Sequence, residues 1–321
     1  MTPTLHIIAS CTDRKRAAVP DDLRLRSVPI KAIKDRANSW WLRLSRHKGQ
    51  PIPAANLYAG GHWAVVRTLP ESARRAGFNA SLWVISAGYG LVSSIAPLHP
   101  YSATFAGAHP DTVASSAHNG QTPKSLRQAW WGALSEFPGP DGSDLRSLTS
   151  LVRKSRNAYF LIVASPDYLS AVERDLLGVS ERIADPSKLI IISSRPDVAD
   201  ERLSDSLVPS DARLQARLGG ARGSLNARVA SLILSKAAVW GLNSRALNRK
   251  LSNMISRSPE LFKFERERLS DAQVRDFIRR GLRKGPQPSC SSLLRALRDS
   301  GLACEQSRFK NLYWEVKEGT P

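Results

Sequence analysis

Four short, unbroken apolar runs punctuate the first two thirds of this chain, and each stops at a polar cluster. Leu5-His-Ile-Ile-Ala-Ser10 leads into Cys11-Thr-Asp-Arg-Lys-Arg16, and Leu82-Trp-Val-Ile-Ser-Ala87 leads into Gly88-Tyr-Gly90. Tyr159-Phe-Leu-Ile-Val-Ala164 precedes Ser165-Pro-Asp-Tyr168, and Lys188-Leu-Ile-Ile-Ile-Ser193 precedes Ser194-Arg-Pro196. Runs this short and continuous predict strands buried on both faces, hence an α/β fold with a mostly parallel central sheet flanked by helices. Ligands of such sheets bind outside the carboxyl ends of the strands, where loops and helix N-termini converge. The polar clusters therefore predict one shared site.

The second run carries the sharpest local signal. Glycines at 88 and 90 permit close approach and unusual backbone angles, so the turn can press its amides or Tyr89 against a ligand. The alternative is a tight turn in which Tyr89 only packs.

Helical patterns fill the intervals. Ile33 to Arg46, with Trp40, Trp41 and Leu44, reads as an amphipathic helix, and Trp63 to Ala76 as another, reached through Tyr58-Ala-Gly-Gly-His62. A long irregular stretch from Ser93 to Gln121, containing Pro97-Leu-His-Pro-Tyr101, is expected to fold over the strand ends. Pro138 to Ser143 marks a turn between helices. From Asp211 the pattern turns helical. Leu218-Gly-Gly-Ala-Arg-Gly-Ser-Leu-Asn226 starts a helix either as a phosphate-cradling loop, with Arg222 at hand, or as a flexible lead-in.

The last 81 residues, 241–321, read as a separate basic module after a domain of residues 1–240. A helix from Ser270, a turn at Gly285-Pro-Gln-Pro288, a helix over Ser289 to Arg298 and a strand over Phe309 to Val316 make a winged-helix pattern. The second helix would enter the major groove with Arg295 and Arg298 one turn apart, supported by Arg308 and Lys310.

Charge names the class of partner. The chain has 321 residues, 47 Lys+Arg against 28 Asp+Glu and a formal net charge of +19. Residues 241–321 carry a surplus of eight positive charges. A polyanion is expected, with double-stranded DNA first, and Arg14 and Lys15 add basic groups at the first strand end. Cys11, Cys290 and Cys304 are too few and scattered for a disulfide framework or zinc site, so no metal and no cofactor is expected. Cys11, beside Arg14 and Lys15, is a reactive thiol or a small buried packing residue. With no basic leader and no apolar run of about 20 residues, the reading is a cytoplasmic protein with no membrane partner.

Leu57-Tyr58-Ala-Gly60, Ile85-Ser-Ala-Gly-Tyr-Gly-Leu91, Pro100-Tyr101 and Val163-Ala-Ser-Pro-Asp-Tyr168 follow, in order, a pattern that resembles the bacterial YaaA/DUF6884 group across about residues 5 to 200. The resemblance implies a DNA-binding protein whose architecture is akin to the uracil-DNA glycosylase superfamily. More broadly, it implies a likeness to antiphage glycosylases that remove glucosylated hydroxymethylcytosine. The first loop departs from the Cys-Ser-Lys-Arg-Lys type of that group by placing Thr12 and Asp13 there, so no family role transfers to Asp13.

Glycosylase chemistry has its own demands. Its oxocarbenium-like transition state calls for a carboxylate near the sugar, which Asp13 and Asp167 at strand ends can supply. The base must leave the stack for a pocket that stacks and reads it. Tyr89, Tyr101 and Tyr168 are the stacking candidates, Ser86, Ser165 and Asn226 the edge-reading ones, and Ser10, Cys11, Thr12 and Gly88 line the same strand ends. Two other readings stand beside this one: a non-catalytic DNA-binding stress protein, and a deazaguanine-related nucleobase transferase.

Overall fold

The computed structural model describes residues 2–28, 32–114, 121–194, 200–260, 265–283 and 288–319. The expected turn at Gly285-Pro-Gln-Pro288 lies largely outside these, as do Arg195-Pro196 and part of the 93–121 loop. The chain divides into two compact units, Met1–Pro259 and Glu260–Pro321.

The first unit is built on a six-stranded sheet: β1 (Thr4–Ser10), β2 (Asn79–Ser86), β3 (Gly90–Ser93), β4 (Tyr159–Val163), β5 (Leu189–Ser193) and β6 (Leu207–Pro209). Its spatial order is β3-β2-β1-β4-β5-β6. All neighbours run parallel except β2 and β3, which form an antiparallel hairpin. The four apolar runs are β1, β2, β4 and β5, as their unbroken hydrophobicity predicts. Leu5, Ile7, Ile8 and Ala9 of β1 are wholly buried because both neighbouring strands and both helical layers cover them.

Helices cover both faces. One layer holds α1 (Ile33–Arg46), α4 (Pro123–Ser135), α5 (Leu148–Lys154) and α6 (Pro166–Ser180). The other holds α2 (Gly61–Val66), α3 (Leu69–Arg75) and α7 (Leu225–Ser235). Thr122 and Ser147 each start a helix through a reciprocal capping box with the serine three residues on, satisfying amides that lack intrahelical partners. The expected single helix over Trp63 to Ala76 is instead two short ones, α2 and α3, with Pro70 in the first turn of the second.

The sheet grows outward from β1 to β2 and β3, then returns to the other side of β1 for β4, β5 and β6. This reversal makes the gap between the carboxyl ends of β1 and β4 the topological switch point, where open α/β sheets leave a crevice.

The domain boundary falls later than residue 240. Helix α8 (Ser244–Ser256) packs Leu247, Leu251 and Ile255 into the core of the first unit, and Asn248 Nδ2 donates to the Leu207 carbonyl at 2.8 Å. The amphipathic stripe of α8 therefore belongs to the sheet, with the break at 259/260.

The second unit has its own core, formed by α9 (Asp271–Arg283), α10 (Cys290–Asp299) and α11 (Gln306–Glu318). Leu302–Ala303 pairs in parallel with Glu267–Arg268. The strand expected over Phe309 to Val316 is a helix. Phe309, Leu312, Tyr313 and Val316 are all buried, and their spacing of three, four and seven residues is one helical face rather than a strand's alternation. The described residues thus carry no β-wing at that position.

Candidate functional site

The Gly88-Tyr-Gly90 turn is a structural keystone rather than an open ligand loop. Ala87, Gly88 and Tyr89 close the β2–β3 hairpin, and Gly90, at φ +75°, starts the returning strand. Every exit from the turn is occupied. Trp40 Nε1 donates to the Gly88 carbonyl and Trp130 Nε1 to the Ala87 carbonyl, each at 2.8 Å. The Arg146 guanidinium donates to the carbonyls of Tyr89, Leu91 and Phe137. A Cβ on Gly88 would sit 2.5 Å from the Tyr101 ring, so the glycine makes room for that ring and not for a ligand.

The three tyrosines expected to stack a base are buried. Tyr101 hydrogen-bonds Ser86 Oγ at 2.7 Å and Tyr58 at 3.0 Å, and Tyr89 Oη accepts from the His99 amide at 2.9 Å. Ser86 Oγ also accepts from the Tyr89 amide at 3.0 Å, so it caps the turn and presents no edge to solvent. Tyr168 contacts Cys11 Sγ at 3.2 Å and Thr104 Oγ1 at 3.4 Å. Burial raises the pKa of all four phenols, Tyr58 included, above the usual phenol range, so they stay protonated at neutral pH. Cys11 is itself buried and hydrogen-bonded, the packing role of its two expected alternatives.

What faces outward at the switch point is polar. Asp13 follows β1 and Asp167 lies in the first turn of α6, after β4. Both keep half-exposed carboxylates, and each has a cationic or imidazole neighbour: Asp13 Oδ1 lies 3.5 Å from His109 Nε2, and Asp167 Oδ1 lies 2.8 Å from an Arg127 Nη. His109 Nδ1 accepts the Asp111 amide at 3.0 Å, which leaves Nε2 to carry the proton that faces Asp13. Arg127 Nε donates to the Phe105 carbonyl at 2.8 Å. Residues 104–111 thus reach both strand ends, as expected for the long loop.

Asp111 anchors that loop. It is fully buried and takes three hydrogen bonds from Arg26 and one from Ser102. Burial alone would raise its pKa, but these bonds outweigh it and hold the carboxyl below its usual range.

Lys15 turns inward. Its Nζ donates to the carbonyls of Thr12 (2.9 Å) and Asp13 (3.1 Å) and lies 4.4 Å from the centre of the Tyr101 ring. Burial lowers its pKa, partly offset by nearby anionic groups. It is therefore a brace for the first loop and not a free phosphate contact. Thr12 Oγ1 donates to the Ala59 carbonyl at 2.9 Å and fixes the same loop.

Two residues from the other helical layer complete the rim. Asn226 Nδ2 donates to the Ala164 carbonyl at 2.8 Å, which spends its amide on the end of β4. His62, in the first turn of α2, sits beside the backbone of Ser10, and burial lowers its pKa to about 4. Its Nε2 is buried with no hydrogen-bond partner. Sequence reading missed His62, His109, Asp111 and Arg127, although the Gly-Gly-His62 step at a helix start was a usable sign. Ser10 is buried, whereas Ser165, Arg14 and Arg222 are exposed.

In the second unit, considered alone, Arg295 and Lys310 are exposed. Arg298 donates to the Cys304 carbonyl at 3.3 Å, and Arg308 pairs with Asp271 and caps the Leu269 carbonyl. Those two arginines hold the module together. Among the described residues no group of His, Cys, Asp or Glu is arranged to hold a metal ion, and no helix is long and apolar enough to cross a membrane.

Compared with protein families, curated proteins and solved structures, the chain matches none of them.

Proposed function

We propose that this protein binds double-stranded DNA and hydrolyses the N-glycosidic bond of a modified base at the switch point. The observation that carries the reading is the pair of half-exposed carboxylates, Asp13 and Asp167, on the ends of adjacent strands, each oriented by a neighbour on the 104–135 segment. One carboxylate near C1′ stabilises the developing oxocarbenium charge. The other, or the same one, orients the attacking water. His109 Nε2 stands 3.5 Å from one Asp13 oxygen, and the second oxygen is left for water. The excess of positive charge supports the polyanion.

The burial of Tyr89, Tyr101 and Tyr168 favours a second reading, DNA binding without chemistry, because none of these rings offers an open face to an extruded base. Incubating the protein with unmodified and modified phage DNA, then analysing released bases by mass spectrometry, separates the two. Free base with an intact backbone supports the glycosylase. DNA that is retarded but chemically unchanged supports binding alone.

A further inference from the structure

The carboxyl ends of β5 and β6 hold a cavity, two strands removed from β1 and independent of the Asp13 and Asp167 reading. It is a cleft open to solvent, with a volume of about 330 Å³, between the strand ends and α8. Its wall is largely apolar but carries the side chains of four serines, Ser194 and Ser210 from the sheet side and Ser252 and Ser256 from the helix. Ser210 is the telling residue. Its amide extends the β5–β6 ladder by donating to the Ser193 carbonyl at 2.8 Å, yet its side chain is only 1 % exposed and its Oγ has no hydrogen-bond partner. A buried hydroxyl in a folded protein is normally hydrogen-bonded, so an unpaired one on a cavity wall marks a place for a ligand atom.

The charges in the cavity decide which ligand fits. Arg213 and Asp211 face each other as fork to carboxylate, with Nε–Oδ1 at 3.1 Å and Nη2–Oδ2 at 3.2 Å. Their charges cancel locally, and an anion entering the cavity would meet a carboxylate whose arginine is already engaged. A neutral ligand with several hydroxyls suffers no such repulsion, because serine hydroxyls both donate and accept and a carboxylate accepts readily. Pro209 and Ile255 add an apolar surface suited to the C–H face of a sugar ring. The volume lies at the small end of ligand cavities, which fits one ring rather than a dinucleotide.

We infer that this cavity is a binding site for a neutral monosaccharide ring, with Ser210 and Asp211 as its hydrogen-bonding partners. The ring is either a free sugar or a substituent on a larger molecule.

Ligand-observed saturation-transfer NMR on the full chain tests this with D-glucose, D-ribose, methyl α- and β-D-glucosides and inorganic phosphate. Saturable transfer from at least one sugar is expected. Ser252→Trp, on the exposed face of α8, should fill the cavity without disturbing the core and weaken that binding by about tenfold or more, roughly 1.4 kcal/mol. Ser210→Ala removes the unpaired hydroxyl as a second probe. Binding of free sugars but neither glycoside identifies a free monosaccharide, whereas binding of a glycoside leaves C1 open for attachment to a carrier. Absence of transfer from every sugar, binding of phosphate in their place, or sugar binding unchanged in both variants would overturn the assignment.

Discussion

The Cys11 thiol and the Tyr168 hydroxyl meet at 3.2 Å across the switch point, one leaving the end of β1 and the other rising from the first turn of α6. The contact joins the two halves of the doubly wound sheet beneath Asp13 and Asp167. Because burial holds the Tyr168 phenol protonated, it remains a hydrogen-bond donor at neutral pH, shared between Cys11 and Thr104. The two carboxylates stand over a floor closed by side chains from three separate segments.

Tyr168→Phe removes that donor while keeping the ring packed against Phe105, whose centroid is 5.0 Å away. The expected cost is about 1 kcal/mol, the net value of a buried hydrogen bond. Urea unfolding should show the midpoint falling with an unchanged slope. Cys11 should also alkylate faster in this variant, as local opening becomes easier.

Arg146 should matter far more. Its guanidinium is buried and serves the carbonyls of the β2–β3 hairpin and the end of α4. Arg146→Met leaves several buried acceptors without donors and is expected to destabilise the fold by about 3 kcal/mol or more. Arg146→Lys should recover little, since one ammonium cannot reproduce the planar fork. Unfolding midpoints for the two variants check this directly.

These two residues also mark what the amino-acid pattern conveys and what it hides. The runs around Ile7, Ile85, Ile162 and Ile191 announce strands because unbroken apolar residues must be covered on both faces. Their polar ends announce the crevice. The antiparallel β3 stays hidden because Gly90 to Ser93 is short and continues the same apolar run. The fate of Tyr89 and Tyr101 is equally illegible, since an aromatic ring beside glycine serves a pocket or fills one. Whether it is filled depends on Trp40, Trp130 and Arg146, which lie between about 40 and 60 residues away in sequence. The helix over Phe309 to Val316 was legible by its period, but the preceding helix-turn-helix pattern invited a wing. His109 and Asp111 gave no local signal, because their partners Asp13 and Arg26 are joined to them only by the fold.

Stability should fall as the solution is acidified from pH 6.5 towards 4. Burial lowers both His6 and His62 from 6.5 to about 4 in the folded state. In this window the unfolded chain binds protons that the folded chain refuses, so stability drops as pH falls and levels off for these groups below about 4. His6→Gln and His62→Gln should each flatten the dependence of the urea midpoint on pH. An unchanged slope in both would show that neither imidazole is held neutral.

Separate hydrophobic cores predict that residues 1–259 fold without the remainder. A truncation there should keep a cooperative transition, whereas one at residue 240 should lose α8 and expose the side of β6 it covers. If the basic second unit contributes to DNA binding through exposed groups such as Arg295 and Lys310, the 1–259 protein should bind more weakly. The slope of log affinity against log salt should become shallower by about 0.9 for each phosphate contact removed. Equal slopes for the two proteins would assign all phosphate contacts to the first unit.

The proposed chemistry predicts a separation of binding from rate. Asp13→Asn and Asp167→Asn each preserve shape while removing a half-exposed charge, and neither carboxylate is needed to complete the core. DNA affinity should stay level or rise slightly, since a negative charge near the backbone is lost. Excision should slow by about two to four orders of magnitude in the variant whose carboxylate faces C1′. The two sites are further distinguished through their partners. His109→Gln frees Asp13 from its imidazole neighbour, and Arg127→Gln frees Asp167 and also loosens the Phe105 carbonyl. If Asp13 is the catalytic carboxylate, His109→Gln should lower the excision rate more than Arg127→Gln does. The reverse pattern assigns Asp167, and parental excision rates in both Asn variants would remove both carboxylates from the reaction.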